Sequence, residues 1–111
     1  MMGKFIITKR KDNEFQFNLK ATNGQVILTS EGYTAKASCT KGIESVKTNA
    51  LSDSRYERKI ARNGLYYFNL KAGNGEVVGT SQMYTSFTAR DNGIESVMVN
   101  APGATIMDET T

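Results

Sequence analysis

The sequence predicts an α+β protein in which two copies of a small unit, each of three strands followed by a helix, share one antiparallel sheet with two helices on one face. Three observations carry that expectation. The chain repeats itself at a fixed offset, apolar residues alternate within each copy as in strands, and each copy ends in a run with the three-and-four spacing of a helix. At 111 residues and 12.2 kDa there is room for one domain. Neither copy alone could bury an adequate core, so the two must share one. We therefore divide the single domain 1–111 into repeat 1 at 3–51, repeat 2 at 54–102, and a closing strand with a frayed tail at 103–111.

The repeat is ungapped. Phe17-Asn18-Leu19-Lys20-Ala21 returns as Phe68-Asn69-Leu70-Lys71-Ala72, 51 residues on, and the same offset carries Asn23-Gly24 onto Asn74-Gly75 and Thr29-Ser30 onto Thr80-Ser81. It also carries Tyr33-Thr34 onto Tyr84-Thr85, Gly42-Ile43-Glu44-Ser45-Val46 onto Gly93-Ile94-Glu95-Ser96-Val97, and Asn49-Ala50 onto Asn100-Ala101. Upstream the identity fades, with Lys4-Phe5 over Arg55-Tyr56 and Phe15 over Tyr66.

In chain order, first strands are expected near 4–9 and 55–60, turned by Asp12-Asn13 and Asn63-Gly64. In Glu14-Phe15-Gln16-Phe17-Asn18-Leu19-Lys20 every second residue is apolar, the period of a strand with one buried face, so Phe15, Phe17 and Leu19 point to the core. Asn23-Gly24 and Asn74-Gly75 supply the positive backbone angles of a tight hairpin leading into Val26-Ile27-Leu28 and Val77-Val78. From Thr34 and Thr85, each suited to an N-cap, the spacing becomes helical, with Cys39, Gly42, Ile43, Val46 and Ala50 along one stripe. A helical glycine costs about 1 kcal/mol relative to alanine. Gly42 and Gly93 therefore imply a close approach of helix to sheet that a Cβ would prevent. Pro102 and Gly103 end the second helix, Ala104 to Met107 can form a last strand, and Asp108 to Thr111 are expected to fray.

The repeated run Phe-Asn-Leu-Lys-Ala, the turn, the strand ending Thr-Ser-x-x-Tyr, and Gly-Ile-Glu-Ser-Val-x-x-Asn resemble the repeat of the YegP-like family of small bacterial proteins, tandem repeats of domain of unknown function 1508. Gly79-Thr80-Ser81-Gln82-Met83-Tyr84 and Arg55-Tyr56-Glu57 are close to its pattern, and the likeness covers residues 3–101. The resemblance implies tandem β-β-β-α-β units in one sheet, with C-terminal strands swapped between repeats. It makes residues 53–60 close the first unit and open the second, and sends Ala104 to Met107 back to the first unit. It transfers no catalytic or binding residue. Ala37 and Cys39 depart from the small polar residues usual at the helix start.

Composition excludes most familiar chemistry. With no His and one Cys, a His-based triad, a His or Cys zinc site and an intrachain disulfide cannot be built. Cys39 reads as a small buried filler. The segment Gly73-Asn74-Gly75-Glu76-Val77-Val78-Gly79 has its third glycine one residue late for a dinucleotide fingerprint and joins two strands, so it reads as a hairpin. The 11 acids are scattered without a calcium-loop pattern, so no metal and no cofactor are expected. An enzyme would have to use Glu44 and Glu95, Tyr33 and Tyr84, or a lysine, without visible convergence. No secretory leader or membrane-length apolar run is present, which points to the cytoplasm and to no membrane.

All 14 basic residues lie within the first 90 positions with 7 acids, whereas residues 91–111 hold 4 acids. Two readings of the surface follow, and neither is catalytic. The first is a small binding or assembly module of a bacterial cytoplasm, with a protein partner or self-association at Leu65 and Tyr67. These apolar residues stand on the outer face where repeat 1 has Glu14 and Gln16. The alternative is weak, sequence-tolerant single-stranded nucleic-acid binding through Lys9, Arg10, Lys11, Arg55, Arg58, Lys59 and Arg62, with Tyr56, Tyr66 and Tyr67 nearby to stack. A nucleic-acid binder should join its basic residues in one face.

Overall fold

The computed structural model describes residues 3–110. Repeat 1 contributes β1 (Lys4–Lys9), β2 (Phe15–Lys20), β3 (Val26–Thr29) and α1 (Lys36–Asn49); repeat 2 contributes β4 (Tyr56–Ile60), β5 (Tyr66–Lys71), β6 (Val77–Thr80) and α2 (Phe87–Asn100). A final strand, β7 (Thr105–Asp108), closes the chain. The seven strands form one sheet in the order β4-β5-β6-β3-β2-β1-β7. Each repeat is a meander of three antiparallel strands, and the two meanders meet at a single antiparallel pair, Thr29 with Thr80.

Alternation builds the core. Phe5, Phe17, Leu19, Phe68 and Leu70 have no exposed surface, and Ile43, Val46, Ile94 and Val97 of the helices close over them in one apolar cluster. Gln16, Asn18 and Lys20 of β2, with Tyr67, Asn69 and Lys71 of β5, occupy the uncovered face. There Thr29 donates to Asn18 and Thr80 to Asn69, both at 2.8 Å, giving a polar row across the junction of the repeats. Where β3 leaves β2, the buried Ser30 hydroxyl accepts from the Phe17 amide at 2.9 Å, and Ser81 serves Phe68 in the same way at 3.0 Å. The repeated Thr-Ser thus satisfies backbone donors that the sheet ladder would otherwise leave buried and unpaired.

All four hairpin turns are alike. Asn13, Gly24, Gly64 and Gly75 have φ of 69°, 86°, 83° and 89°, and in each turn the side chain of the preceding Asp12, Asn23, Asn63 or Asn74 accepts from the amide two residues on. Only the second residue of each pair takes the positive angle, which is the three-residue turn ending in a left-handed residue. The helical glycines answer to tyrosines. A Cβ on Gly42 would collide with the Tyr33 hydroxyl and come within 3.1 Å of the Phe17 ring, and one on Gly93 would collide with the Tyr84 hydroxyl. Leu28 and Gly79 occupy equivalent positions beside the junction, and a Cβ on Gly79 would lie 2.6 Å from the Leu28 Cγ. One large residue and one glycine fit there.

Four sequence expectations need correction. The sheet is mixed, because β7 runs parallel to β1, with Lys4 opposite Thr105 and Ile7 opposite Asp108. The strand follows a helix that has crossed to the other repeat, so its direction is set by that crossover and not by a hairpin. Thr34 and Thr85 lie one residue before the caps: α1 starts after Ala35 with no side-chain cap, whereas the Ser86 hydroxyl caps α2 by accepting from the Ala89 amide. Asp108 is ordered within β7, the Glu109 amide donates to the Ile7 carbonyl at 3.0 Å, and Thr110 bonds to Asp108. Thr111 lies outside the described residues. Finally, β4 takes one place in the sheet, beside β5, after α1 has crossed to the second repeat just as α2 crosses back to deliver β7.

Candidate interaction surface

The basic residues do not converge. β1 and β4 are five inter-strand steps apart in the sheet, about 24 Å at about 4.8 Å per step. Lys9 stands at the end of β1 with its ammonium 5.5 Å from the Phe15 ring centre, Arg10 lies 3.3 Å from Asp12, and Lys11 is exposed in the turn. At the far edge, Arg58 bonds Asp53 at 2.9 Å and Asp91 at 3.4 Å on the helix side, and the bond to Asp53 foremost raises its affinity for the proton. Lys59 alternates to the uncovered side, 3.9 Å from Glu57, and Arg62 is exposed in the next turn. Arg55 is half-buried at the end of a short 3-10 turn (Asp53–Arg55), its guanidinium against Gly73 and its Nε buried without a partner. These seven residues therefore form two groups on different ends and faces.

Leu65 and Tyr67 do share the uncovered face, but both are half-buried. Leu65 closes the β4–β5 turn through its carbonyl, which accepts from Ala61 at 2.8 Å, and Tyr67 sits opposite Lys59. Two large apolar side chains of repeat 2 that reach solvent stand together on the other side of the same end, whereas the exposed Met83 and Val99 lie elsewhere in the repeat. Ile60 is 64% exposed and Phe87 59%, and they flank Tyr66: Ile60 is its partner in the β4–β5 register, and the Phe87 ring meets it edge-on with centres 6.4 Å apart. Arg90 covers the Tyr66 ring at 5.5 Å.

The equivalent corner of repeat 1 has the opposite chemistry. Lys9, Phe15 and Lys36 replace Ile60, Tyr66 and Phe87, and the two ammoniums lie 5.5 and 5.8 Å from the Phe15 ring centre. Lys36 also holds Asp108 of β7 at 2.8 Å, which with the Thr110 bonds lowers that carboxyl to about 2. Ile60 and Phe87 were missed from sequence although the signal was there. Lys9 to Ile60 and Lys36 to Phe87 are the same kind of exchange between copies as Glu14 to Leu65 and Gln16 to Tyr67.

The other perturbed groups are buried or bonded to neighbours. Burial raises the Tyr33 and Tyr56 phenols, and the Tyr56 hydroxyl donates to the Ala50 carbonyl at 2.7 Å, tying β4 to the end of α1. Burial pushes the Cys39 thiol up to about 11, so it stays protonated at neutral pH. Glu57 is lowered by the hydrogen bonds it accepts from Asn69 and Lys71. No group of three or more His, Cys, Asp or Glu among the described residues could hold a metal. No helix among them is long and apolar enough to cross a membrane.

Both halves of the chain match the family model described as Domain of unknown function (DUF1508), over residues 11–57 and 61–108. The chain belongs to the YegP (UPF0339) family. It is 53% identical to UPF0339 protein YegP of Escherichia coli over 110 residues, covering 99% of this chain and 100% of the relative. It is 56% identical over 108 residues to a UPF0339 protein in the ptx operon 5′ region of Stutzerimonas stutzeri, covering 97% of each. The fold is that of the solution NMR structure of Escherichia coli yegP, a protein of unknown function, with a TM-score of 0.94, 51% identity and coverage of 99% of this chain and 95% of that one. The family read from the repeated signature is thus borne out, and so is the α+β tandem-repeat architecture. The family is one of unknown function, and its names state no activity.

Proposed function

We propose that the protein is a non-catalytic binding module whose partner is another protein, received at the Ile60–Tyr66–Phe87 corner of repeat 2. One observation carries the reading. Two large apolar side chains are exposed around an aromatic ring in one copy, where the other copy has lysines. Lys9 and Lys36 keep their corner solvated, and the replacement by Ile and Phe gives up that solvation at one corner only. The absence of convergence among titratable groups supports the non-catalytic part: the shifted ones are buried in the core or bonded to neighbours. The nucleic-acid reading has less support, because the two groups of cations stand about 24 Å apart and two of the seven, Arg10 and Arg58, are matched by Asp12, Asp53 or Asp91.

Site-specific photo-crosslinking in bacterial cells tests this. A benzophenone side chain at position 60 should give an adduct with a distinct protein, reduced by Phe87→Lys and missing when the same probe is at position 9. Equal adducts at 60 and 9, none at either, or only an adduct with a second copy of this chain would overturn it.

A further inference from the structure

The corner of repeat 2 adjoins an edge whose counterpart in repeat 1 already holds a strand. β7 lies parallel to β1, pairing Lys4 to Ile7 with Thr105 to Asp108, and the Ile7 carbonyl accepts from Glu109. The repeat offset places Arg55 to Arg58 at the positions of Lys4 to Ile7. Among the described residues β4 pairs with β5 alone, so the Arg58 carbonyl, equivalent to that of Ile7, has no strand beside it. Alternate backbone groups of β4 are therefore available to an added strand.

Resting on the partner surface proposed above, we infer that β4 receives an extended segment of the partner protein, added parallel to it as β7 is added to β1. The register of β7 defines what each residue of that segment meets. Its second residue lies beside Tyr56 on the helix side, and its third beside Glu57 on the uncovered side, where Asn69, Lys71 and Lys59 already surround the carboxylate. Its fourth takes the place of Asp108, beside Arg58, whose guanidinium is already held by Asp53 and Asp91. In repeat 1 that place faces the Lys36 ammonium; in repeat 2 it faces the equivalent Phe87, with Ile60 and Tyr66 adjoining. A carboxylate suits the first corner and a large apolar side chain the second. The segment accordingly reads any residue, apolar, polar, apolar.

A second copy of this chain is the wrong occupant for electrostatic reasons. A symmetric antiparallel pairing that keeps both sheets facing the same way must set one residue of β4 against itself. Over the centre of the strand that residue is Glu57, Arg58 or Lys59, and like charges directly opposite one another are destabilising. These three charges stand where β1 has Ile6, Ile7 and Thr8, and they guard the edge against self-pairing without excluding a strand of different sequence.

The test uses the intact protein, isotope-labelled for amide NMR, with two synthetic peptides. One is the chain's own segment Gly103 to Asp108 carrying Met107→Gln, which puts a polar residue at the third place, together with Asp108→Leu; the other carries Met107→Gln alone. The Leu peptide should shift the amides of Tyr56 to Ile60 with interstrand contacts of parallel type, leave Lys4 to Ile7 unchanged, and bind at least tenfold tighter than the one that keeps Asp108. Ile60→Lys with Phe87→Lys should weaken it at least tenfold; both substitutions put in place what repeat 1 carries. Absence of β4 shifts at millimolar peptide, shifts confined to the uncovered face, equal binding of the two peptides, or protection of β4 that grows with protein concentration alone would overturn the strand. The crosslinking outcome is independent of backbone pairing: an adduct at position 60 without β4 pairing keeps the surface and removes the strand, whereas loss of the adduct removes the surface itself.

Discussion

At one edge of the sheet Phe5, Ile6 and Ile7 lie under β7, buried to 0%, 8% and 2% exposure; at the other, the equivalent Tyr56, Glu57 and Arg58 have no strand beyond them among the described residues. The difference follows from how a duplicated chain is threaded. Each helix carries the chain across to the other repeat. α1 therefore delivers β4 as the first strand of repeat 2, while α2 delivers β7 to a repeat that already has its first strand. One edge gains a seventh strand and the other gains none. The side chains match: Ile6, Ile7 and Thr8 where the edge is covered, and a glutamate, an arginine and a lysine at the equivalent positions where it is not. Free edges need such blunting, and covered ones do not.

Exchanging residues between the edges is the strongest way to break this comparison. Ile7→Arg places a guanidinium in a site 2% exposed, where the neighbouring Asp108 carboxylate is already held by Lys36, and should cost on the order of 3–5 kcal/mol in urea unfolding, the range for a buried charge without a partner of its own. The reverse exchange, Arg58→Ile, gives up two ion pairs at a side chain 36% exposed and should cost no more than about 1 kcal/mol. Similar costs for the two would show that the edges are equally covered in solution.

The junction between the repeats offers a second asymmetric pair. Leu28 is fully buried, so Leu28→Ala should cost about 2–5 kcal/mol, and Gly79→Ala about 1–3 kcal/mol because its Cβ would press on the Leu28 Cγ. In the Leu28→Ala background the Gly79→Ala change should cost much less, since the obstructing atoms are gone. A double-mutant cycle that proves additive would mean the two residues do not share that space.

These pairs also show where sequence reasoning ends. Spacing alone located the alternating strands, the two helices and the glycines at Gly42 and Gly93, because period and turn chemistry are local properties. The tyrosines under those glycines could not be named, since Tyr33 and Tyr84 lie nine residues before them and reach them only through the fold. The parallel direction of β7 was equally out of reach: it depends on which edge a crossing helix leaves free, which no window of sequence contains. Thr34 and Thr85 were natural cap residues by type, yet the helices begin one position later and only Ser86 supplies a capping hydroxyl. As for the site, Leu65 and Tyr67 stand out in the sequence because they replace polar residues of repeat 1, and the same comparison extended to Lys9 and Lys36 selects Ile60 and Phe87. What a comparison of copies cannot supply is which replaced residues a third element then covers.

Acid should loosen the two edges by different routes. Asp108 titrates near 3.8 when free and near 2 when held by Lys36 and Thr110, so its folded affinity for protons is depressed. The stability it lends to β7 is complete above the free value and is lost as pH falls from about 4 toward about 2. Exchange of the Glu109 amide, which reports β7 on β1 through its bond to Ile7, should therefore accelerate over that window once the intrinsic rate is divided out. Asp108→Asn should remove the acceleration and leave β7 weaker at neutral pH. The opposite edge has no Asp108, but Glu57 is lowered by Asn69 and Lys71, so acid there loosens β4 against β5 and Asp108→Asn should not alter it. If Asp108→Asn flattened the acid response of Tyr56 to Ile60 as well, the two edges would be coupled through the sheet, and the difference between a covered and a bare edge would not be local.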